Sequence, residues 1–368
     1  MLMEHGLRDG RLAEGLCFTQ FLTPDGVLAK PLDGRMDESL LLDMYRNMAI
    51  ARQFDRKAVN LQRQGRLGTY APFEGQEAAQ IGSALALAKD DWMFPTYRDH
   101  AATITRGQSM TTVFLYWAGR LEGGTGAKSL RILPPSVPIA THLLHAVGMA
   151  WATKLRNENV VTVGYFGDGA SSEGDFHEAL NFAGLYHLPI IFICQNNGYA
   201  ISVPFSKQSA SKTISQRANA YDIEGERVDG NDVLAVFDAV SRARERARAG
   251  GGPTLIEAVT FRYGAHTTAD DPKRYRDQEL ATDWRTHRDP IGRLKRFLEQ
   301  RGLWTDDFES EVMADATARI ELALDEFARY EAPNPLDMFE HVYAEMPWHL
   351  KEQAAEFERA MEKDGMQP

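Results

Sequence analysis

Two short apolar runs, at 160–166 and 188–194, each end in a polar cluster, and this shared ending limits the possible folds more than any other feature of the chain. Runs that are apolar at nearly every position read as strands buried on both faces, the pattern of a parallel sheet. Gly167-Asp168-Gly169 follows the first run and Asn196-Asn197 follows the second, with twenty-six residues between Gly169 and Asn196. A carboxylate and a carboxamide leaving the carboxyl ends of neighbouring parallel strands converge on the crevice where open α/β sheets bind ligands. They also supply the hard oxygen ligands that Mg²⁺ takes when it carries a bound diphosphate. Between the two clusters a helix is expected, with Ser172 as its cap, Asp175 as a first-turn acid, and Phe176, Leu180, Ala183 and His187 at helical spacing.

The rest of the chain agrees with an α/β domain. Residues 1–36, with turn signals at Pro24-Asp25-Gly26 and Asp33-Gly34, read as an extended arm. From Asp37 a long amphipathic helix is predicted to about Gly65, followed by a helix over 76–88, a short strand over 92–94, a helix over 139–155 and a strand over 254–261. Strands alternating with such helices predict a doubly wound, mostly parallel sheet of mixed strand order, with helical extensions at both termini. The expected division is an arm over 1–36, an α/β domain over 37–288 and a helical region with an aromatic, proline-punctuated docking tail over 289–368.

With 368 residues, 43% of them hydrophobic, the chain has enough material for a sizeable core. Its net charge of -11 argues against a nucleic-acid partner. The alternating arginines Arg242, Arg244, Arg246 and Arg248 read as a solvated helix face. No apolar run has the length of a membrane span, and Cys17 and Cys194 are too few and too dissimilar in setting for a disulfide framework, so a cytoplasmic enzyme is expected. Cys194, at the end of an apolar strand, reads as a buried core residue. Two rival phosphate-binding patterns fail on their own terms. A dinucleotide fingerprint at Gly167-x-Gly169 lacks its third glycine, and the loop at 123–129 has Ala127 where a phosphate loop needs glycine before Lys-Ser.

The Gly-Asp-Gly and Asn-Asn pair resembles the diphosphate-binding signature of thiamine diphosphate enzymes. Further segments extend the likeness over almost the whole chain: Gly75-Gln76-Glu77-Ala78, Pro95-Thr96-Tyr97-Arg98-Asp99-His100, and Arg262-Tyr263-Gly264-Ala265-His266-Thr267 continuing to Asp270-Asp271-Pro272. Together these resemble the alpha subunit of the decarboxylating component of 2-oxo acid dehydrogenase complexes.

That resemblance implies roles residue by residue. Asp168 and Asn197 would hold Mg²⁺ through side chains and Tyr199 through its carbonyl, while Gly167, Gly169 and Ala170 let main-chain amides approach the diphosphate. Tyr97 and Arg98 would contact the diphosphate, and the fork of a guanidinium suits phosphate oxygens. The alternative for Arg98 is a structural ion pair with Asp99 or a neighbour. Val137 and Ile139 match a segment facing the aminopyrimidine ring, and His266 matches an active-site histidine. Tyr70 and Tyr97 are expected at the substrate pocket, although Tyr70 also reads as a core tyrosine. Ser136 and Thr141 match a K⁺-binding turn of some relatives, from which this sequence departs at Val137 and His142.

The same resemblance implies oxidative decarboxylation of a small 2-oxo acid, with acyl transfer to the lipoyl-lysine of an acyltransferase partner. The activating glutamate belongs to a separate beta subunit, so an α₂β₂ assembly is expected. Glu74 and Glu77 read as helix-start acids, not as that group. Pyruvate is the leading substrate. Branched-chain 2-oxo acids, acetoin cleavage and a non-catalytic scaffold are the alternatives.

Overall fold

The computed structural model describes residues 5–8, 11–14, 18–126, 128–331 and 334–363. Five strands form a parallel sheet: β1 (Trp92–Phe94), β2 (Thr162–Gly167), β3 (Ile190–Asn196), β4 (Glu224–Asp229) and β5 (Thr254–Val259), in the order β1-β2-β3-β5-β4. The mixed order agrees with the expectation from sequence. The register sets Thr162 opposite Ile190 and Gly167 opposite Gln195, so Asp168 leaves the sheet level with Asn196, one residue before Asn197. Every residue of β3 and β5 is buried, which is why both were readable as apolar runs.

Alternation along β2 divides the core between the two faces. Phe166 packs with Leu143, Phe176, Leu180 and Phe192 beneath helices Thr141–Leu155 and Gly174–Leu185. Val163 and Tyr165 point the other way, to Ala79, Val236, Val240 and Ile256 beneath helices Glu77–Leu85 and Val233–Arg248. Cys194 lies in the first of these clusters as a buried free thiol. Cys17 lies outside the described residues.

Three local expectations need correction. Ser172 does not cap the helix that follows β2: Asp168–Ser172 is a 3₁₀ turn, tightened by the Ser171 hydroxyl donating to the Asp168 carbonyl at 2.7 Å, and the helix starts at Gly174. His187 lies beyond its end with φ of 46°. The arginine row is only partly solvated. Arg242 is exposed and bridges Glu226 and Asp238, but Arg244 turns inward to Asp91, a fully buried carboxylate that also receives the amide of Val161. Strand β4 gave no sequence signal, because its first half carries Glu224, Gly225 and Glu226 at the sheet edge.

The arm at 18–36 runs along that edge, with Thr19 bridging Val228 in parallel. Asp232 fastens it. One carboxylate oxygen caps helix Val233–Arg248 through the amides of Leu234 and Ala235, and the other receives Phe21 and Leu22 at 2.6 and 2.7 Å. Asp232→Ala would strip four buried amides of their acceptor. The expected cost is about 3 to 5 kcal/mol, a helix cap plus buried unsatisfied donors, read as a fall in the urea midpoint at unchanged m-value.

Residues 324–368 cluster as a separate compact unit from 1–323. Within it, Phe339 of helix Asp337–Glu340 meets Phe357 of helix Trp348–Lys363 at 5.8 Å between ring centroids. Met338, Val342, Tyr343 and Trp348 are exposed there. No helix among the described residues is long and apolar enough to cross a membrane.

Candidate functional site

A crevice of about 630 Å³ opens at the carboxyl ends of β2 and β3. Its volume is that of a small-molecule site, and its position follows the rule for open α/β sheets. One side presents the oxygen ligands that suit a cation. Asp168 is 1% exposed, its Oδ2 accepts from Gln208 at 3.2 Å, and its Oδ1 is buried with no hydrogen-bond partner among the described residues. Burial pushes its carboxyl up to about 6. Asn197 Nδ2 donates to Gln76 Oε1 at 3.0 Å, which fixes the amide with its oxygen toward the amide of Tyr199. Asn196 turns away, donating to Glu257 and accepting from Gly198, so of the two asparagines only Asn197 lines the crevice. Gly169 is needed for space, since a Cβ there would stand 2.8 Å from the Cβ of Ala200.

The other side is built for an anion. Arg98 donates to the carbonyls of Pro72 at 2.6 Å and His266 at 2.8 Å, and lies 3.1 Å from His266 Nδ1. Its expected alternative partner, Asp99, is committed elsewhere, to the amide and hydroxyl of Thr96 and to Gln195. The ion-pair reading of Arg98 with Asp99 is therefore corrected.

Arg262 stands beside Arg98 at 2% exposure, with long contacts to the carbonyls of Gly264 and Ile201 and to the Tyr275 hydroxyl, at 3.4, 3.3 and 3.4 Å. Burial, then the charge of Arg98, brings its guanidinium down to about 10. Two buried guanidiniums whose hydrogen-bond partners among the described residues are all neutral have the chemistry to receive an anion. Sequence reasoning gave Arg262 no role. Its available signal was position, three residues past the end of β5 and at the same rim as the other two strand exits.

His266 sits between the two arginines. Both neighbours can only donate, so Nδ1 accepts and the ring proton is assigned to Nε2. Burial, then Arg98 and Arg262, lowers its pKa to about 3, which leaves the imidazole neutral at working pH. Asp270 accepts the His266 amide at 2.8 Å, and the ring of Tyr97 stands edge-on to the imidazole at 6.1 Å.

Gly167, Ala170, Tyr97, Tyr199, Val137 and Ile139 also line the crevice, the last two 57% and 43% exposed at its wall. Ser136 Oγ donates to the Pro138 carbonyl at 3.0 Å, and Thr141 opens the following helix. Tyr70 does not reach the crevice. It is fully buried, stacked on His100 with its hydroxyl on Asp55 at 2.8 Å, and the core-tyrosine reading replaces the substrate one. Glu77 is likewise structural, fully buried and paired with Arg52 at 2.7 Å.

Similarity to known proteins agrees with this geometry. Residues 45–336 match the family model described as dehydrogenase E1 component. The chain is 44% identical over 336 residues to the pyruvate dehydrogenase E1 component subunit alpha of Staphylococcus aureus, covering 91% of this chain and 90% of that one. It is 46% identical over 339 residues to the 3-methyl-2-oxobutanoate dehydrogenase subunit alpha of Mycobacterium tuberculosis, covering 91% of each. This chain, whose parallel-sheet strand exits carry the buried carboxylate and the two guanidiniums and which such relatives match over nine-tenths of its length, belongs to the dehydrogenase E1 component family.

Proposed function

We propose that this chain is the alpha subunit of a thiamine diphosphate-dependent 2-oxo acid dehydrogenase. In this reading it works with a beta subunit to decarboxylate pyruvate oxidatively and pass the acyl group to a lipoyl-lysine. The observation that carries the reading is the pairing, in one crevice, of a buried carboxylate with a free oxygen and two buried guanidiniums with neutral partners. That combination matches a metal-bound diphosphate in charge on both sides.

The residues present fit that group. Asp168 and Asn197 would ligate Mg²⁺ by side chain and Tyr199 by carbonyl, with Gly169 and Ala170 admitting the diphosphate to main-chain amides. Arg98 and Arg262 would bind its anionic oxygens, with Tyr97 adding a hydroxyl, and Val137 and Ile139 would border the ring system. K⁺ at Ser136 and Thr141 is a secondary feature of the same reading. When bound, thiamine diphosphate supplies the electron sink for loss of carbon dioxide. His266 holds a proton on Nε2, where it can orient or protonate at the reacting centre. Glu74 and Glu77 are both tied into ion pairs with Arg56 and Arg52, which leaves activation of the cofactor to a carboxylate of the beta subunit.

The two relatives differ in the acid that their names give, which keeps a branched-chain 2-oxo acid as the second reading. Acetoin cleavage would use the same cofactor residues. A non-catalytic scaffold is disfavoured, because unpaired buried charges cost stability and serve no purpose in one. The α/β domain over 37–288 would hold the site. The tail within 289–368, with Met338, Val342, Tyr343 and Trp348 exposed, would dock another subunit, and the α₂β₂ enzyme would work in the cytoplasm on a lipoyl-bearing acyltransferase core.

Co-expression with the candidate beta subunit tests this directly. With Mg²⁺, thiamine diphosphate and an artificial electron acceptor, the pair should decarboxylate pyruvate in preference to 2-oxoisovalerate, and the alpha chain alone should be inactive. Preference for the branched acid would transfer the assignment to the second reading. A pair that neither turns over nor shows a cofactor-dependent thermal shift would leave the scaffold.

A further inference from the structure

Asp55 is a carboxylate that the proposed chemistry does not use, and it is 1% exposed in the middle of helix Glu38–Arg63. It accepts three hydrogen bonds, from the Tyr70 hydroxyl at 2.8 Å and from the amides of Phe73 and Glu74, both at 3.0 Å. All three donors lie on the short strap at 70–75, which has no helix or strand of its own to hold its shape.

That strap touches the anion site at several points. The Pro72 carbonyl receives Arg98 Nη1 at 2.6 Å. Tyr70 pairs in both directions with Thr268, its amide donating to Thr268 Oγ1 at 3.1 Å and its carbonyl accepting the Thr268 amide at 2.9 Å. The Glu74 carbonyl accepts the amide of Tyr263 at 2.9 Å, so the strap grips the segment bearing His266 on both sides. Beyond Arg98, Pro72 also packs on Gly264, where an added Cβ would lie 3.2 Å from its Cγ.

We propose that Asp55 is a positioning residue for the anion site, fixing through the 70–75 strap both the Arg98 guanidinium and the loop that carries His266. The proposal rests on the reading that this site binds a diphosphate. A neutral amide cannot replace the carboxylate, because its NH₂ would confront one of the three donors. Burial raises the Asp55 carboxyl to about 7, with the hydrogen bonds from Phe73 and Tyr70 opposing the effect and the charges of Glu77 and Glu74 adding to it. The groups facing it are Tyr70 and Glu74 on the strap and Glu77 on helix Glu77–Leu85. Glu74 and Glu77 are held by Arg56 and Arg52, and His100, stacked on Tyr70, is lowered to about 3 and stays neutral. Ionised above that range, Asp55 accepts from all three donors. Protonated below it, the carboxyl leaves one donor without an acceptor, and the strap loosens.

The test is Asp55→Asn in the reconstituted two-subunit enzyme, reading cofactor affinity, turnover at saturating cofactor, and melting without cofactor. The expected result is a rise in the apparent Kd and KM for thiamine diphosphate on the order of 10-fold or more, the loss of one charge-assisted hydrogen bond. Turnover at saturation should also fall, by a smaller factor than affinity, because the loop that carries His266 loses its anchor while the ring itself is retained. Wild-type affinity should also fall as pH drops through 7, and the variant should lack that limb. Tyr70→Phe, which removes one contact and leaves the charge, should shift affinity in the same direction by a smaller factor and serves if Asp55→Asn does not fold. Wild-type affinity and pH dependence in both variants would overturn the positioning role. A wild-type pair that binds no cofactor would overturn instead the reading on which the proposal rests.

Discussion

Asp168→Asn should abolish turnover by the reconstituted pair and, in the same protein, raise the melting temperature of the cofactor-free alpha chain. The opposite signs follow from one fact. Asp168 is buried, has one oxygen without a hydrogen-bond partner among the described residues, and is pushed up to about 6 by its desolvation. Without a cation beside it, an ionised carboxylate in that position works against the fold, and an amide of the same shape removes the charge. The gain should be about 1 to 3 kcal/mol, the usual cost of a poorly satisfied buried polar group. In a domain of this size that corresponds to about 2 to 4 °C per kcal/mol.

With Mg²⁺ and thiamine diphosphate the order should reverse. The wild-type chain gains stability in proportion to ligand concentration over Kd, and the variant gains little. Activity should fall by more than about 100-fold, since even changes to groups behind a metal ligand cost roughly 10- to 100-fold. Differential scanning fluorimetry with and without the cofactor reads both signs in one plate. A variant that melts lower than wild type in both conditions would mark Asp168 as a structural acceptor and remove the cation side of the site.

The sequence made the sheet readable where burial is complete and obscured it where burial is partial. β3 and β5 are buried along their whole length and appear as apolar runs, whereas β4 begins with Glu224, Gly225 and Glu226 because an edge strand is solvated on its outer half. The start of the long helix at Asp37 was legible from its apolar periodicity, and there the Asp37 side chain closes the helix in the ordinary way, accepting from the amide of Leu40 at 2.9 Å. Ser172 was misread because the backbone after β2 first makes a tight 3₁₀ turn around Asp168, a geometry shaped by the site and not by capping preference.

The cation side was visible as a motif, since its ligands come from two strand ends of fixed spacing. The anion side was half visible. Arg98 drew attention from its neighbours, but Arg262 looked like any charged residue after a strand until the fold brought it beside Arg98 and His266. Tyr70 and Asp55 are fifteen residues apart and meet only because helix Glu38–Arg63 returns beneath the strap, a contact with no periodic signature.

His266→Asn should separate binding from chemistry. The His266 carbonyl, which receives Arg98 Nη2 at 2.8 Å, belongs to the main chain and survives the substitution, so Arg98 keeps its orientation. Cofactor affinity should therefore change by less than about tenfold, while turnover with the lipoyl acceptor should fall by about 10² to 10⁴, the range for loss of a positioned proton donor or acceptor. The charge state supplies an independent check. In the free protein the imidazole is lowered to about 3 by burial, Arg98 and Arg262, so it is neutral at pH 6. A diphosphate placed against the two guanidiniums brings negative charge to the same ring, and that raises the pKa of a group whose charged form is the cation. Binding at pH 6 should then draw a proton from solution, in proportion to how far the pKa rises toward its ordinary value. Calorimetry of cofactor binding in two buffers of different ionisation enthalpy measures that proton directly. A proton balance shifted toward uptake in the wild type relative to His266→Asn is the expected pair of results, since the proton that Asp168, at about 6 in the free protein, gives up to a cation is common to both. Equal proton balance in both, together with unchanged turnover, would show that the ring is a spacer between two arginines and takes no part in the reaction.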